Sequence, residues 1–296
     1  MLLRIIVSRG TVVPFADLPS KSIALDGFCQ GPAVDVDGQR FSFDHHDKCV
    51  RLFTRATCQQ VLDALLLGLD PVGYTIYVND VDGDTALAVW LLGNPARVTE
   101  PLVRQLVETV GAVDAHGPAY PICDPKLADM FFQGALKPLS DLQRAKKYGE
   151  ADLEDLLATC VSNIDALIAG TLEWNPRPEK SRSFVVTHAG NGWVMAKSDD
   201  FVFDLLYAAG HNKAIAYQQQ PDGSIAYTVG KKSELVGGFP VGPHSKEGTI
   251  LNALNAREQG WGGGSTIGGA PRNADGSRSR LTPDEVFGLV EAVVNR

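Results

Sequence analysis

The chain has no Cys-x-x-Cys pair, no basic tract, no internal repeat and no apolar run near the roughly 18 residues that span a bilayer. Its five cysteines, Cys29, Cys49, Cys58, Cys123 and Cys160, are odd in number and widely spaced. That pattern argues against a disulfide frame or a zinc site and predicts free thiols in a reducing cytoplasm. The apolar start Met1–Val7 is interrupted by Arg4 and is too short for a signal h-region. A soluble, cytoplasmic protein with no membrane partner is expected. Lys and Arg number 27 against 35 Asp and Glu, a formal net charge of -8. An acidic chain is a poor coat for long nucleic acid, whose binding needs a basic surface. A short nucleotide held through divalent cations is not excluded, because bound cations present a positive face to phosphate whatever the overall charge. With 44% hydrophobic residues over 296 positions, there is material for a real core and a prior for two domains.

The first half alternates strand and helix signals. Strands are predicted at Leu2–Val7, Ser22–Leu25, Arg40–Phe43 after the turn Asp37-Gly38, and Tyr74–Val78. Helices are predicted at Thr57–Leu67, Asp84–Leu92 with Asp82 or Asp84 as its cap, and Pro101–Val110. Such alternation implies a mostly parallel sheet flanked by helices. Residues 118–172 read as a helical connector. The proline-rich break from Trp174 to Ser181 sets the expected boundary between domains 1–178 and 179–296. Beyond it, strands are predicted at Ser183–Thr187, Trp193–Ala196, Lys213–Gln218 and Ser224–Val229, with helices at Asp199–Ala208 and after the Thr282-Pro283 start. A smaller C-terminal α/β domain follows from that pattern.

Two clusters could carry chemistry. Phe43-Asp44-His45-His46-Asp47 ends one strand, and Asp80-Val81-Asp82-Gly83-Asp84 follows another. Carboxylates with imidazole suit a divalent cation such as Mn²⁺. Adjacent histidines on extended chain point to opposite sides, so one could bind metal while the other faces substrate. Asp26 and Asp114 also follow small apolar runs, which makes four strand ends closing in acid. In open α/β sheets ligands gather beyond the carboxyl ends of the strands. Plainer readings stay open: a polar strand end, a helix cap and two turn residues. A calcium EF-hand does not fit, because apolar Ala86–Trp90 follows where further oxygen ligands are needed.

These motifs resemble those of the DHH phosphoesterase superfamily. Asp44-His45-His46 matches its signature triplet, Asp80-Val81-Asp82-Gly83 its DxDG element, Asp26 the lone acid before the triplet, and Asp114 the acid of the fourth motif. Gly262-Gly263-Gly264 with Gly268-Gly269 is similar to the glycine-rich loop of the DHH-associated C-terminal domain. The order is permuted, since the triplet here precedes DxDG. The histidine that many members place before DxD is missing, so one metal would lose a ligand there or gain one from Asn79, Asp84 or His116. The glycine loop carries Ser265 where a histidine is usual. The resemblance implies a metal-dependent phosphoesterase with a site in the cleft between two domains. Two Mn²⁺ or Mg²⁺ ions would be held by Asp26, Asp44, His45, Asp80, Asp82 and Asp114. It implies His46 as the catalytic residue facing phosphate. Gly262, Gly263, Gly264, Ser265 and Arg272 would bind a small phosphorylated substrate or short oligonucleotide. The alternative it leaves is an impaired member that binds a nucleotide or phosphate without turnover. Homo-oligomerisation is left open.

Overall fold

A computed structural model describes residues 4–50, 52–117, 119–176 and 181–296. Leu2 and Leu3 of the expected first strand, and 177–180 of the proline-rich break, lie outside them. The chain divides into two units, Met1–Pro178 and Glu179–Arg296.

The N-terminal unit begins with β1 (Arg4–Val7), β2 (Ser22–Leu25), β3 (Ala33–Asp35) and β4 (Arg40–Phe43), then α1 (Thr57–Leu66) and β5 (Thr75–Val78). Its sheet order is β1-β5-β2-β4-β3. The first four of these are mutually parallel, and β3 is an antiparallel hairpin partner of β4. Insertion of β5 between β1 and β2 brings the carboxyl ends of β2, β4 and β5 side by side. That is where Asp26, Asp44 and Asn79 leave the sheet.

Helix α2 (Gly83–Gly93) is buried on all sides from Asp84 to Leu92. A helix apolar around its whole circumference belongs in a core, and α2 occupies that place beside α1, α3 (Pro101–His116) and the later helices. The predicted end of α3 at Val110 is corrected. The helix runs on to His116 and stops at Gly117, which takes φ 86°. Gly111 does not break it: a Cβ there would lie 2.5 Å from the Gln59 side chain, so the glycine lets α3 press against α1. Next come α4 (Pro125–Asp129), a π-helical segment Met130–Ala135, α5 (Lys137–Arg144) and α6 (Leu153–Ile168). The helical connector expected over 118–172 is interrupted between α5 and α6, with Lys146 in the left-handed region at φ 59°.

The C-terminal unit comprises β6 (Phe184–Ala189), β7 (Val194–Ser198), α7 (Phe203–Ala208), β8 (Lys213–Gln219), β9 (Ile225–Lys231), α8 (Ile250–Arg257), β10 (Gly262–Gly263), β11 (Ile267–Gly269) and α9 (Pro283–Val294). The sheet order is β10-β11-β9-β8-β7-β6, antiparallel except for β7 with β8. Thr282 and Glu285 cap α9 reciprocally, as its sequence predicts. Both units are thus α/β, each a multi-strand sheet with flanking helices.

Candidate metal centre

Six of the chain's acids and histidines meet beyond the carboxyl ends of β2 and β4. Asp26 leaves β2 in the left-handed conformation at φ 48°, which an aspartate tolerates better than most side chains. Its Oδ1 lies 2.8 Å from His46 Nε2 and 3.5 Å from His45 Nε2. The Thr57 and Thr85 hydroxyls donate to its two oxygens at 3.1 and 3.3 Å. Burial opposes its ionisation, yet the His45 and His46 imidazoles beside it win and hold the carboxyl well below its ordinary value.

His45 is fully buried. Its Nε2 stands 2.8 Å from Asp114 Oδ2 and 3.7 Å from Asp84 Oδ2. Burial disfavours an imidazolium there, but Asp114 and Asp26 overcome it and raise the group to about 10. Even so, neither ring nitrogen makes a hydrogen bond of good geometry among the described residues. His46 packs its ring 4.5 Å from that of His45 and keeps 42% of its side chain exposed. Asp26 makes it more basic than free imidazole. The neighbouring histidines thus differ in exposure, but both rings face the same Asp26 oxygen and do not point to opposite sides.

Asp82 and Asp84 split two tasks. Asp82 caps α2, accepting from Thr85 N at 2.8 Å. Burial, then Asp26, Asp84 and Asp114, push its carboxyl well above the usual range. Asp84 caps a different helix. Ala56 at the start of α1 has no side-chain acceptor, and Asp84 reaches across from α2 to take Thr57 N and Cys58 N, each at 2.7 Å. Burial and the same neighbouring acids raise it to about 7.

Two sets of potential ligand atoms lie within 4.8 Å of one another, Asp26-His45-His46 and His45-Asp84-Asp114. Each is a carboxylate–imidazole set of the kind that holds a divalent cation of hard to borderline character. The fit has a physical basis in the fully buried His45 nitrogens and in the raised carboxyls of Asp82 and Asp84. Both reflect a surplus of acid that a cation neutralises.

Of the expected ligands, Asp26, His45 and Asp114 join these sets, and Asp82 faces the same acids. Asp114 arrives from the last turn of α3 and not from a strand end. Asp44 and Asp80 differ from expectation. Asp44 is buried, and its oxygens accept from Gly31 N and His46 N at 3.0 Å, with Asp47 N at 3.4 Å. It shapes the loop that aims His45. Asp80 turns outward, where Val81 N at 2.9 Å and the Tyr148 hydroxyl hold it. Asn79 donates to Gly27 O at 3.0 Å, and His116 packs on Tyr120. Sequence reasoning offered Asp84 as the cap of its own helix or as a replacement ligand without choosing between them, and missed Thr57, Thr85 and Tyr148.

Tyr148 lies in the interruption between α5 and α6. Its hydroxyl also meets Val81 N and Val81 O at 3.2 Å, while Arg9 stacks on its ring and donates to Tyr148 O and Ala151 O. Tyr148 thereby fixes the turn that carries Asp82. Removing the hydroxyl in Tyr148→Phe forfeits about 1 kcal/mol. For a unit of this size, thermal denaturation should show a midpoint lower by roughly 2–4 °C.

In the C-terminal unit, Gly262, Gly263 and Gly264 open a hairpin at the sheet edge, with Gly264 N donating to Ile267 O at 2.8 Å. The segment read as a glycine-rich phosphate loop is thus a short hairpin, β10 to β11. Gly263 sits at φ 148°, and a Cβ on it would lie 2.3 Å from Gly268 Cα. A Cβ on Gly268 would lie 2.4 Å from the Leu251 side chain of α8. Close packing accounts for both. Ser265 hydrogen-bonds Glu234, whose negative charge opposes an anion at that spot. Arg272 is exposed.

Among the described residues no helix is long and apolar enough to cross a membrane. No protein-family model matches the chain, and no curated protein matches it.

Proposed function

We propose that the N-terminal unit is a metal-dependent phosphoesterase, acting on a small phosphate ester, nucleotide or short oligonucleotide with Mn²⁺ or Mg²⁺, two ions being the fuller complement. The observation that carries this reading is the pair of overlapping ligand sets that meet at His45 beyond the carboxyl ends of the parallel strands. The cations would supply charge neutralisation of phosphate and a water acidic enough to attack it. Asp26, His45, Asp84 and Asp114 would hold them, with Asp82 beside. Asp26 orients both imidazoles at once through one oxygen, and Thr57 and Thr85 keep that carboxylate from turning. His46, half-exposed and made more basic by Asp26, retains its proton to higher pH than free imidazole. With Asp26, His45, Asp84 and Asp114 as the holders, His46 would be left to pass that proton to a departing ester oxygen.

A second reading has its own observation. Asp44 and Asp80 are engaged by backbone N–H groups and by Tyr148, and both Asp84 oxygens accept from Thr57 N and Cys58 N, which leaves fewer carboxylates for cations. A protein that binds a nucleotide without turning it over would follow from that loss.

The test is release of p-nitrophenol from bis-p-nitrophenyl phosphate, and of phosphate from pyrophosphate, with Mn²⁺ and with chelator. Turnover in Mn²⁺ that chelator abolishes is the expected result. No turnover on these substrates or on short oligonucleotides would sink the enzyme reading. Tight nucleotide binding without turnover would select the second.

A further inference from the structure

A groove of about 390 Å³ runs beside the metal centre, within the N-terminal unit. Two of its wall residues adjoin the centre's acids in the chain: Gly83 stands between Asp82 and Asp84, and Val113 precedes Asp114. Consecutive Cα atoms are about 3.8 Å apart, so these two wall residues are chain neighbours of Asp82, Asp84 and Asp114, although the carboxylates themselves do not line the groove. Its far wall is the π-helical segment Met130–Ala135 with α5. Irregular π turns of this sort occur often at functional sites.

We infer that this groove receives the base of a nucleoside, so that the group held at the metal centre is the phosphate of a nucleotide and not pyrophosphate. The inference rests on the phosphoesterase reading for what lies at the centre, but its argument comes from the groove. Phe132 offers a half-buried ring, fixed by edge-on contact with buried Phe131 at 5.1 Å and 89°. A flat ring fixed in this way is a stacking platform for a base. Gln133 and Ser140 in the wall, with exposed Gln143 at the rim, carry donors and acceptors together. The edge of a heterocycle presents the same mixture, whereas a phosphate presents acceptors alone. Among the described residues none of those lining the groove is Lys or Arg, and Asp129 is one of them. A second phosphate group would therefore meet a negative wall with no cation to neutralise it.

Gly83 supports the same placement. A Cβ on it would stand 3.1 to 3.2 Å from Phe131, Phe132 and Leu136. The glycine lets the acid-bearing end of α2 lie directly against the aromatic wall, which ties the position of the ring to that of the carboxylates.

The experiment is calorimetric titration of the full chain, in Mn²⁺, with AMP and with ribose 5-phosphate. Both probes carry the same phosphate on the same sugar, and one carries a base. The wild type is expected to bind AMP roughly tenfold more tightly, the size expected from one stacked base. Phe132→Leu and Gln133→Ala should each remove most of that difference and leave the affinity for ribose 5-phosphate unchanged. Gln133 is half-buried and outside the apolar core, so its variant keeps the test available where Phe132→Leu does not fold. Equal affinities in the wild type, or full discrimination in a folded variant of either kind, overturns the inference. Because the readout is binding, a chain that hydrolyses no phosphoester yet prefers AMP would refute the enzyme reading and leave the base site standing.

Discussion

On the proposed reading, His45→Ala is expected to abolish tight Mn²⁺ binding and to leave the N-terminal unit folded but weakened. The two ligand sets share this one residue, so a single truncation removes a donor from both. Loss of residues that merely orient ligands costs 10–100-fold in metal affinity, and loss of the shared ligand should cost roughly 100-fold or more. Stability falls for a separate reason. His45 is fully buried with Asp26, Asp84 and Asp114 around Nε2, so its removal leaves buried carboxylates without their cationic neighbour. Breaking one side of such a pair costs about 3 kcal/mol. The α2-centred core and the parallel sheet do not depend on the imidazole, so far-ultraviolet dichroism should be preserved. Calorimetric Mn²⁺ titration and urea unfolding of the metal-free protein measure the two effects. An affinity unchanged in a folded variant would remove His45 from the centre and, with it, both ligand sets.

The parts legible in the sequence were those where a local pattern decides the outcome. Ser22–Leu25, Arg40–Phe43 and Thr75–Val78 are short apolar or alternating runs closed by turn residues, and each is a strand at or within one residue of its expected bounds. Strand ends fix where the next residue emerges, so Asp26 and His45 were readable as neighbours. Asp44 and Asp80 were not, because a carboxylate at a strand end has two competing partners, a cation or an unpaired backbone N–H. The winner is set by the path of the loop. The Asp44 loop folds back so that Gly31 N and His46 N converge on its oxygens. Asp80 is claimed by Tyr148 from a helix interruption 68 residues further on. Asp84 shows the converse. Its sequence position suggests a cap for its own helix, yet it caps α1, because Ala56 leaves that helix start without an acceptor. Asp114 was found for the wrong reason. Gly111 looked like the end of a helix, and only the contact with Gln59 shows that it is a packing glycine inside one. The glycine-rich segment failed in a similar way: the residues that would free a loop also allow Gly263 and Gly268 to pack at distances no side chain tolerates.

The metal-free protein should lose stability as pH rises, and Mn²⁺ should restore more of it the higher the pH. Asp84 has a folded value near 7 against 3.8 when free, so the folded chain keeps a proton that the unfolded chain has released. Stability from this group is therefore full below the ordinary carboxylate range and declines as pH climbs toward 7. His45, raised from 6.5 to about 10, acts in the same direction over a later window. Its contribution is complete below the ordinary imidazole value and disappears as pH passes about 10. Between them the two groups tilt stability downward from roughly pH 4 to pH 10. Asp26 acts oppositely, since its carboxyl is depressed, but its effect is confined to acid. On the proposed reading a divalent cation would occupy the place of the protons on Asp84 and His45, and its binding would release them. At high pH those protons are already gone, so the cation pays no displacement cost and its full affinity appears as stabilisation. Urea unfolding with Mn²⁺ and with chelator, repeated across that range, measures the gap. Asp84→Asn keeps one acceptor for the start of α1 and cannot ionise, so it should make the metal-free curve less steep below neutral pH, where Asp82 still acts in the same direction, while leaving the alkaline fall due to His45. A gap independent of pH, or a metal-free stability that rises across the window, would show that these protons are not linked to a cation and that the acids of this centre are held for the fold alone.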